Sequence, residues 1–443
     1  MKTMIWAKIK LVMTFLAGAA LLMAGGERAS AAESASPAAP AAPAPGKIER
    51  QGPLAGLPSA PGAHLEKIKA LGDNQWVDLG SPAPDPKWGK AGGRSWGTQA
   101  LVLAPELRGA FLFGEGLHAY VKPNGYADDD LWFYDINAHR WICLYPGMNP
   151  KTFVQRIKDQ DLKIDDLGRM VDRDGQPIPV HTHIHAWGSL AYDSDQKKLL
   201  LGGGPDIGTY YLPGVDDMKP GLALLAEQRK GKKAPPAWSG FLYDTLTGRF
   251  ELHPATGSYG IAGNEFPKTV YVPGSKQFFT VGVLGVATFD PAKRNISLVD
   301  AKGPRPEGYD LSGCYDSKRN RVYLGTAHAY DIDSRTWIKL DATGTRPTAY
   351  STLRLSLQYD PLNDALVAIQ FMPANGEKDS KAVGVYGYSP EANSWSGPSP
   401  LPAFRKPMAN VCYDRELNAW FCHLAGDSEA NGSMWAYRYK KAA

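Results

Sequence analysis

The sequence predicts an all-β fold, a six-bladed β-propeller closed by an N-terminal outer strand and preceded by a signal peptide and an Ala/Pro-rich linker. Three observations carry this. A Tyr or Phe, usually followed by Asp, is answered seven positions later by Trp or another apolar residue at five places. A second hairpin signature precedes each of these units. Near the start, Trp76-Val77-Asp78-Leu79 copies the strand that ends them.

The five spaced pairs are Tyr134 to Trp141, Tyr243 to Phe250, Phe289 to Ile296, Tyr330 to Trp337 and Tyr388 to Trp395. A constant offset within diverging sequence marks one reused supersecondary unit. Each pair brackets a polar turn between short β-rich runs, so the unit is a hairpin. The preceding hairpins are anchored at Ala104, Tyr192, Val272, Tyr315, Tyr359 and Tyr413. Their separations are 88, 80, 43, 44 and 54 residues, a base period near the low forties with two long insertions, as four-stranded blades require at roughly 40–50 residues each.

Six first hairpins meet only five complete second hairpins, and the last blade stops one strand short. The segment around Gln75 to Gly80, a copy of Trp141-Ile142-Cys143-Leu144 and Trp337-Ile338-Lys339-Leu340, is expected to supply that strand. Such closure removes exposed sheet edges.

These residues resemble the kelch-type β-propellers, related to the non-catalytic framework of galactose oxidase. The marks are the Tyr-to-Trp spacing and a glycine pair after the second strand, clear at Gly202-Gly203. The resemblance covers roughly residues 71–443. That family includes enzymes, adhesion modules and scaffolds, so it implies a fold rather than a function.

Residues 1–31 read as a cleavable secretory signal: Lys2, Lys8 and Lys10, an apolar run from Leu11 to Gly26, then Ala29-Ser30-Ala31. The run is short and followed by Glu27 and Arg28, which disfavours a retained membrane span. Residues 32–70 read as a linker, so the domains are 1–31, 32–70 and a propeller at 71–443 with insertions at 149–180 and 205–238. A secreted or periplasmic location is expected. The chain carries +4, of which the leader holds a net +3, leaving about +1. That near-neutral balance is not the basic footprint of a nucleic-acid binder.

Exported chains tolerate disulfides. Cys412 and Cys422 flank one hairpin turn, and a cross-strand disulfide between them is weighed against two buried thiols. Cys143 and Cys314 read as core positions.

The chemistry-bearing segment is His181-Thr182-His183-Ile184-His185-Ala186-Trp187, with three of the nine histidines. On an extended strand the three imidazoles share a face, with successive Cα atoms about 6–7 Å apart. A Zn²⁺ or Cu²⁺ on His183 and His185 would need a third ligand, such as His118 or His328, and the sequence identifies none. No cofactor is therefore expected as the first reading.

The innermost strand of each propeller blade lines the channel, and the segments leading into these strands share one rim. Here they bring Arg94 and Trp96, His181 to Trp187, Glu265, Tyr309 and Asp310, Tyr350, and Arg405 and Lys406. Aromatic and charged groups around a concave mouth suit a ligand. Both insertions are expected to wall it, with helical stretches at Thr152 to Met170 and Met218 to Gln228. One function class is a binding module for a glycan or an envelope or extracellular protein. The other is a polysaccharide-active enzyme. Some propeller polysaccharide lyases abstract a proton beside a uronate carboxylate with His and Tyr; by that resemblance His183, His185 and Tyr309 would be catalytic and Arg94 or Arg405 would neutralise the carboxylate. Copper-radical chemistry is disfavoured because the Tyr-His dipeptide of that family is absent.

Overall fold

A computed structural model describes residues 49–91, 101–113, 125–126, 130–178, 188, 190–201, 215–232, 239–254, 256–257, 268–282, 285–307, 311–349, 354–373, 383–404, 409–424 and 432–442. The expected signal peptide and the first part of the linker lie outside these.

Six antiparallel sheets make the blades. Blade 1 contains Leu101–Ala104, Gly109–Phe113, Leu131–Asp135 and Arg140–Tyr145; blade 2 contains Ala191–Asp193, Lys198–Leu201, Ser239–Asp244 and Arg249–Pro254. Blade 3 is Lys268–Val272, Gln277–Gly282, Gly285–Asp290 and Asn295–Val299, and blade 4 is Gly313–Asp316, Arg321–Leu324, His328–Asp331 and Thr336–Lys339. Blade 5 is Leu355–Asp360, Ala365–Gln370, Gly384–Ser389 and Ser394–Ser399. Blade 6 joins Ala409–Asp414, Ala419–Leu424 and Ser433–Arg438 to the N-terminal strand Gln75–Gly80. The first strands of the blades neighbour one another in a closed cycle, that of blade 6 meeting those of blades 5 and 1. The chain is a six-bladed β-propeller.

The repeated spacing has a direct physical cause. Each of the five offset pairs is a cross-strand register pair, as in Tyr134↔Trp141 and Tyr388↔Trp395. The aromatic centroids lie 5.0 to 5.4 Å apart in four of them, a contact of about 0.5–1.5 kcal/mol beyond area burial. The Asp after the Tyr closes the turn: Asp414 Oδ1 accepts from the backbone N–H of Glu416 and Leu417, and Asp193, Asp244, Asp316 and Asp360 do the same two and three residues on. Five residues after the Tyr the backbone turns left-handed, at His139, Asn320, Asp364, Asn393 and Asn418. The Tyr hydroxyl bonds that residue's side chain at 2.8 to 3.0 Å. Asn and Asp tolerate this backbone region better than most residues.

Because strands alternate direction, all these tight turns lie on one face, and the long connections lie on the other, the mouth. The expected linker ran to residue 70, and the structure corrects it. From Glu49 on, the segment is an apolar strap across the turn face. Leu54 and Ile68 are fully buried, and Leu57 and Leu65 join the same core as blades 1, 2 and 6. Gln51 N–H donates to Leu246 O in blade 2, and Gly62 N–H to Asn137 O in blade 1. A short helix, α1 (His64–Lys69), then ends against blade 6. There the Arg438 guanidinium, 7% exposed, donates to the carbonyls of Ile68, Lys69, Leu71, Leu417 and Asn418. Two of these, Ile68 and Lys69, are carbonyls of the last turn of α1. The Ala/Pro content hid the apolar residues that dock this strap.

The cysteine expectation is also corrected. Cys412 pairs with Phe421 and Cys422 with Val411, one register step apart, so the two thiols leave opposite faces of the sheet. They belong to different core clusters, and all four cysteines are free and buried.

Candidate functional site

The two insertions are joined by their own apolar core. The first begins with helix α2 (Pro150–Lys158), capped by Asn149, whose side chain accepts from Lys151 N–H. A small hairpin follows, Leu162–Ile164 with Met170–Asp172, where the expected helix ran on to Met170. The helix stops at Lys158, just before the left-handed Gln160, and Asp165 closes the hairpin turn by accepting from the N–H groups of Leu167 and Arg169. The second insertion contributes helix α3 (Val215–Arg229). Phe153, Ile157, Leu162, Ile164, Met218 and Leu225 are buried together. A Cβ at Gly221 would stand 2.7 Å from the Phe153 ring and 2.9 Å from Ile157, so glycine sets how closely α2 and α3 approach. Both insertions leave blades 1 and 2 on the mouth side.

On the same side, between blades 4 and 5, lies a cavity of about 410 Å³. Its walls are the connections into those blades, Glu307 with Leu311 and Arg346 to Thr348, together with Leu324 to His328 at the bend inside blade 4. The bend is fixed by Gly325 N–H donating to Ser312 O and Leu340 N–H to Ala327 O. The other wall is anchored by Gln370, fully buried. Its Oε1 accepts from Thr348 N–H at 3.1 Å and Ala349 N–H at 3.2 Å, and its Nε2 donates to Thr348 Oγ1. Burial and the facing Lys339 hold His328 below the ordinary imidazole value, leaving it neutral near pH 7. Arg346 and Glu307 are exposed, and neither forms an ion pair or side-chain hydrogen bond with another described residue.

His181, His183, His185, Trp187, Arg94, Trp96, Glu265, Tyr309, Asp310, Tyr350, Arg405 and Lys406 lie outside the described residues. Three of them are neighbours in sequence of residues that line this cavity. Glu307 and Leu311 flank Tyr309 and Asp310, and Arg346 to Thr348 lead to Tyr350. His328 is the one sequence candidate placed directly, on the wall. Among the described residues no group of three or more His, Cys, Asp or Glu side chains is arranged to hold a metal ion.

Glu307, Thr326, Arg346, Thr348 and Gln370 were missed by sequence reasoning, although a signal exists. Asp300-Ala301-Lys302-Gly303-Pro304-Arg305-Pro306-Glu307-Gly308-Tyr309 is matched 41 positions later by Asp341-Ala342-Thr343-Gly344-Thr345-Arg346-Pro347-Thr348-Ala349-Tyr350. The glycines have a steric reason. A Cβ at Gly303 would meet Trp337 O at 2.5 Å and one at Gly344 would meet Trp395 O at 2.1 Å, where each segment runs parallel to an outer strand. Arg-Pro-x-x-Tyr then carries each connection from the outer edge towards the inner strand. No protein-family model matches the chain, and no curated protein matches it. The propeller geometry therefore carries the functional argument.

Proposed function

We propose that this is an exported kelch-type propeller that acts as a binding module, recognising a glycan of the envelope or extracellular space through its mouth. The observation that carries the reading is the cavity between blades 4 and 5, whose walls carry the exposed Glu307 and Arg346 side chains. Concave sites with a few convergent polar groups are the usual form of a small-ligand site. The insertion core beside blades 1 and 2 suits a wall on the far side of that mouth, while the turn face is occupied by the strap.

Export rests on the leader, with the mature protein beginning near Ala32. The test is retention on immobilised glycans, followed by analysis of the eluate. Retention without new reducing ends or unsaturated sugar is the expected result. Unsaturated product would instead assign the His183, His185 and Tyr309 lyase reading, and retention of envelope or extracellular proteins but of no glycan would move the ligand class to protein.

A further inference from the structure

We infer that the blade 4–5 cavity is an acidic-sugar subsite, in which Arg346 takes the carboxylate of the bound unit and Glu307 accepts from its hydroxyls. This rests on the binding reading above and adds the ligand's charge.

Glu307 and Arg346 line the same space, yet they form no ion pair with each other or with any described group. A guanidinium presents donors in a fixed fork matched to a carboxylate, so Arg346 on the cavity wall suits one. The unpaired Glu307 carboxylate accepts only, so it requires donors, which sugar hydroxyls supply. Neutral His328 and the buried Thr326 add hydrogen-bonding groups without charge. Among the described lining residues Arg346 and Glu307 are the two charged groups, and Lys339, outside the lining, faces His328 across the sheet. Pockets of roughly 300–1,000 Å³ hold small ligands, and the cavity falls in that range.

The wall is also built rather than incidental. Gln370 ties down Thr348 and Ala349, next to Pro347, which is itself buried. Of the two Arg-Pro-x-x-Tyr copies, only the second places its arginine on this cavity; the first contributes Glu307. Equivalent connections from neighbouring blades thus deliver opposite charges to one space.

The test measures binding of trigalacturonate and of neutral galactotriose by calorimetry, with wild type, Arg346→Ala, Arg346→Lys and Glu307→Gln. Wild type is expected to prefer the acidic sugar at least tenfold. Arg346→Ala should abolish that preference while leaving the melting temperature and any neutral-sugar affinity unchanged, Arg346→Lys should keep part of it, and Glu307→Gln should weaken both sugars. Equal binding of both sugars, or an unchanged preference in Arg346→Ala, would overturn the subsite and leave the glycan-binding reading standing. If neither sugar binds, nor any glycan of a wider panel, both fail.

Discussion

Trp76 and Tyr437 are cross-strand partners with ring centroids 4.5 Å apart, although they lie at opposite ends of the chain. They reproduce without covalent continuity the pair that five hairpins make locally. The turn is copied too. Asn74 is left-handed two residues before Trp76, as His139, Asn393 and Asn418 are before Trp141, Trp395 and Trp420. The Tyr437 hydroxyl bonds Asn74 Oδ1 at 2.9 Å, as other tyrosines bond their own turn residue. One motif is thus split between the two chain ends, and its assembly closes the ring.

Trp76→Ala should therefore act on the whole ring. The indole packs on Tyr437 and edge-on against Phe404, and its loss should cost roughly 2–4 kcal/mol. Deleting residues 71–80 should go further, exposing the edge of Ser433–Arg438 to aggregation. Urea unfolding and light scattering measure both, and a soluble deletion with an unchanged transition would mean the ring closes otherwise.

Arg438→Met should be more damaging than its surface-like residue type suggests. It removes the guanidinium donors to five carbonyls, and a lost buried network of this kind costs roughly 3 kcal/mol or more. Proteolysis should then cleave the strap before the blades. Equal protease resistance of the two proteins would show that the strap is held by its apolar residues alone.

Acid should loosen the strap at a defined point. The His139 ring is 5.1 Å from that of His64, and its Nδ1 meets the Tyr134 hydroxyl. Burial, and secondarily the His64 charge, hold it down to about 4 from the ordinary 6.5, while Asp78 opposes the shift and Lys67 adds to it. A folded value below the unfolded one gives stability that is whole above pH 6.5 and is lost as the pH falls towards 4. Discounted for partial exposure, about 1 kcal/mol is at stake. His139→Asn, which keeps a left-handed turn residue and a Tyr134 partner, should flatten the melting-temperature profile over that window.

The thiols at Cys412 and Cys422 should stay free. Intact-mass measurement without reduction should show four thiols, inert to alkylation until the protein unfolds, since burial raises the thiol values of Cys314, Cys412 and Cys422. A mass lower by two hydrogens would contradict the sheet register.

The ring was legible because one local interaction, Tyr across from Trp over an Asp-closed turn, is stamped on the chain at a fixed offset. Closure was legible because Trp76 repeats a strand already seen. The strap was not, since its anchors Leu54, Leu57, Leu65 and Ile68 come as two separated i,i+3 pairs, the second on the six-residue α1, too short to set a pattern within an Ala/Pro-rich stretch. The cysteine pairing failed by one register step, which sequence offsets across a turn do not resolve. For the site, attention went to the histidine-rich segment, whereas the described cavity is built by two copies of Arg-Pro-x-x-Tyr whose arginine and glutamate look like ordinary surface charges one at a time.

If the mouth binds ligand and the turn face serves only the fold, hydrogen exchange of the wild-type protein, with and without saturating polygalacturonate, separates the two faces. Protection confined to the segments around 305–311, 324–328 and 346–354, with the strap at 49–71 unchanged, is the predicted result. Protection of the strap and the tight turns, with the mouth segments unaffected, would contradict it.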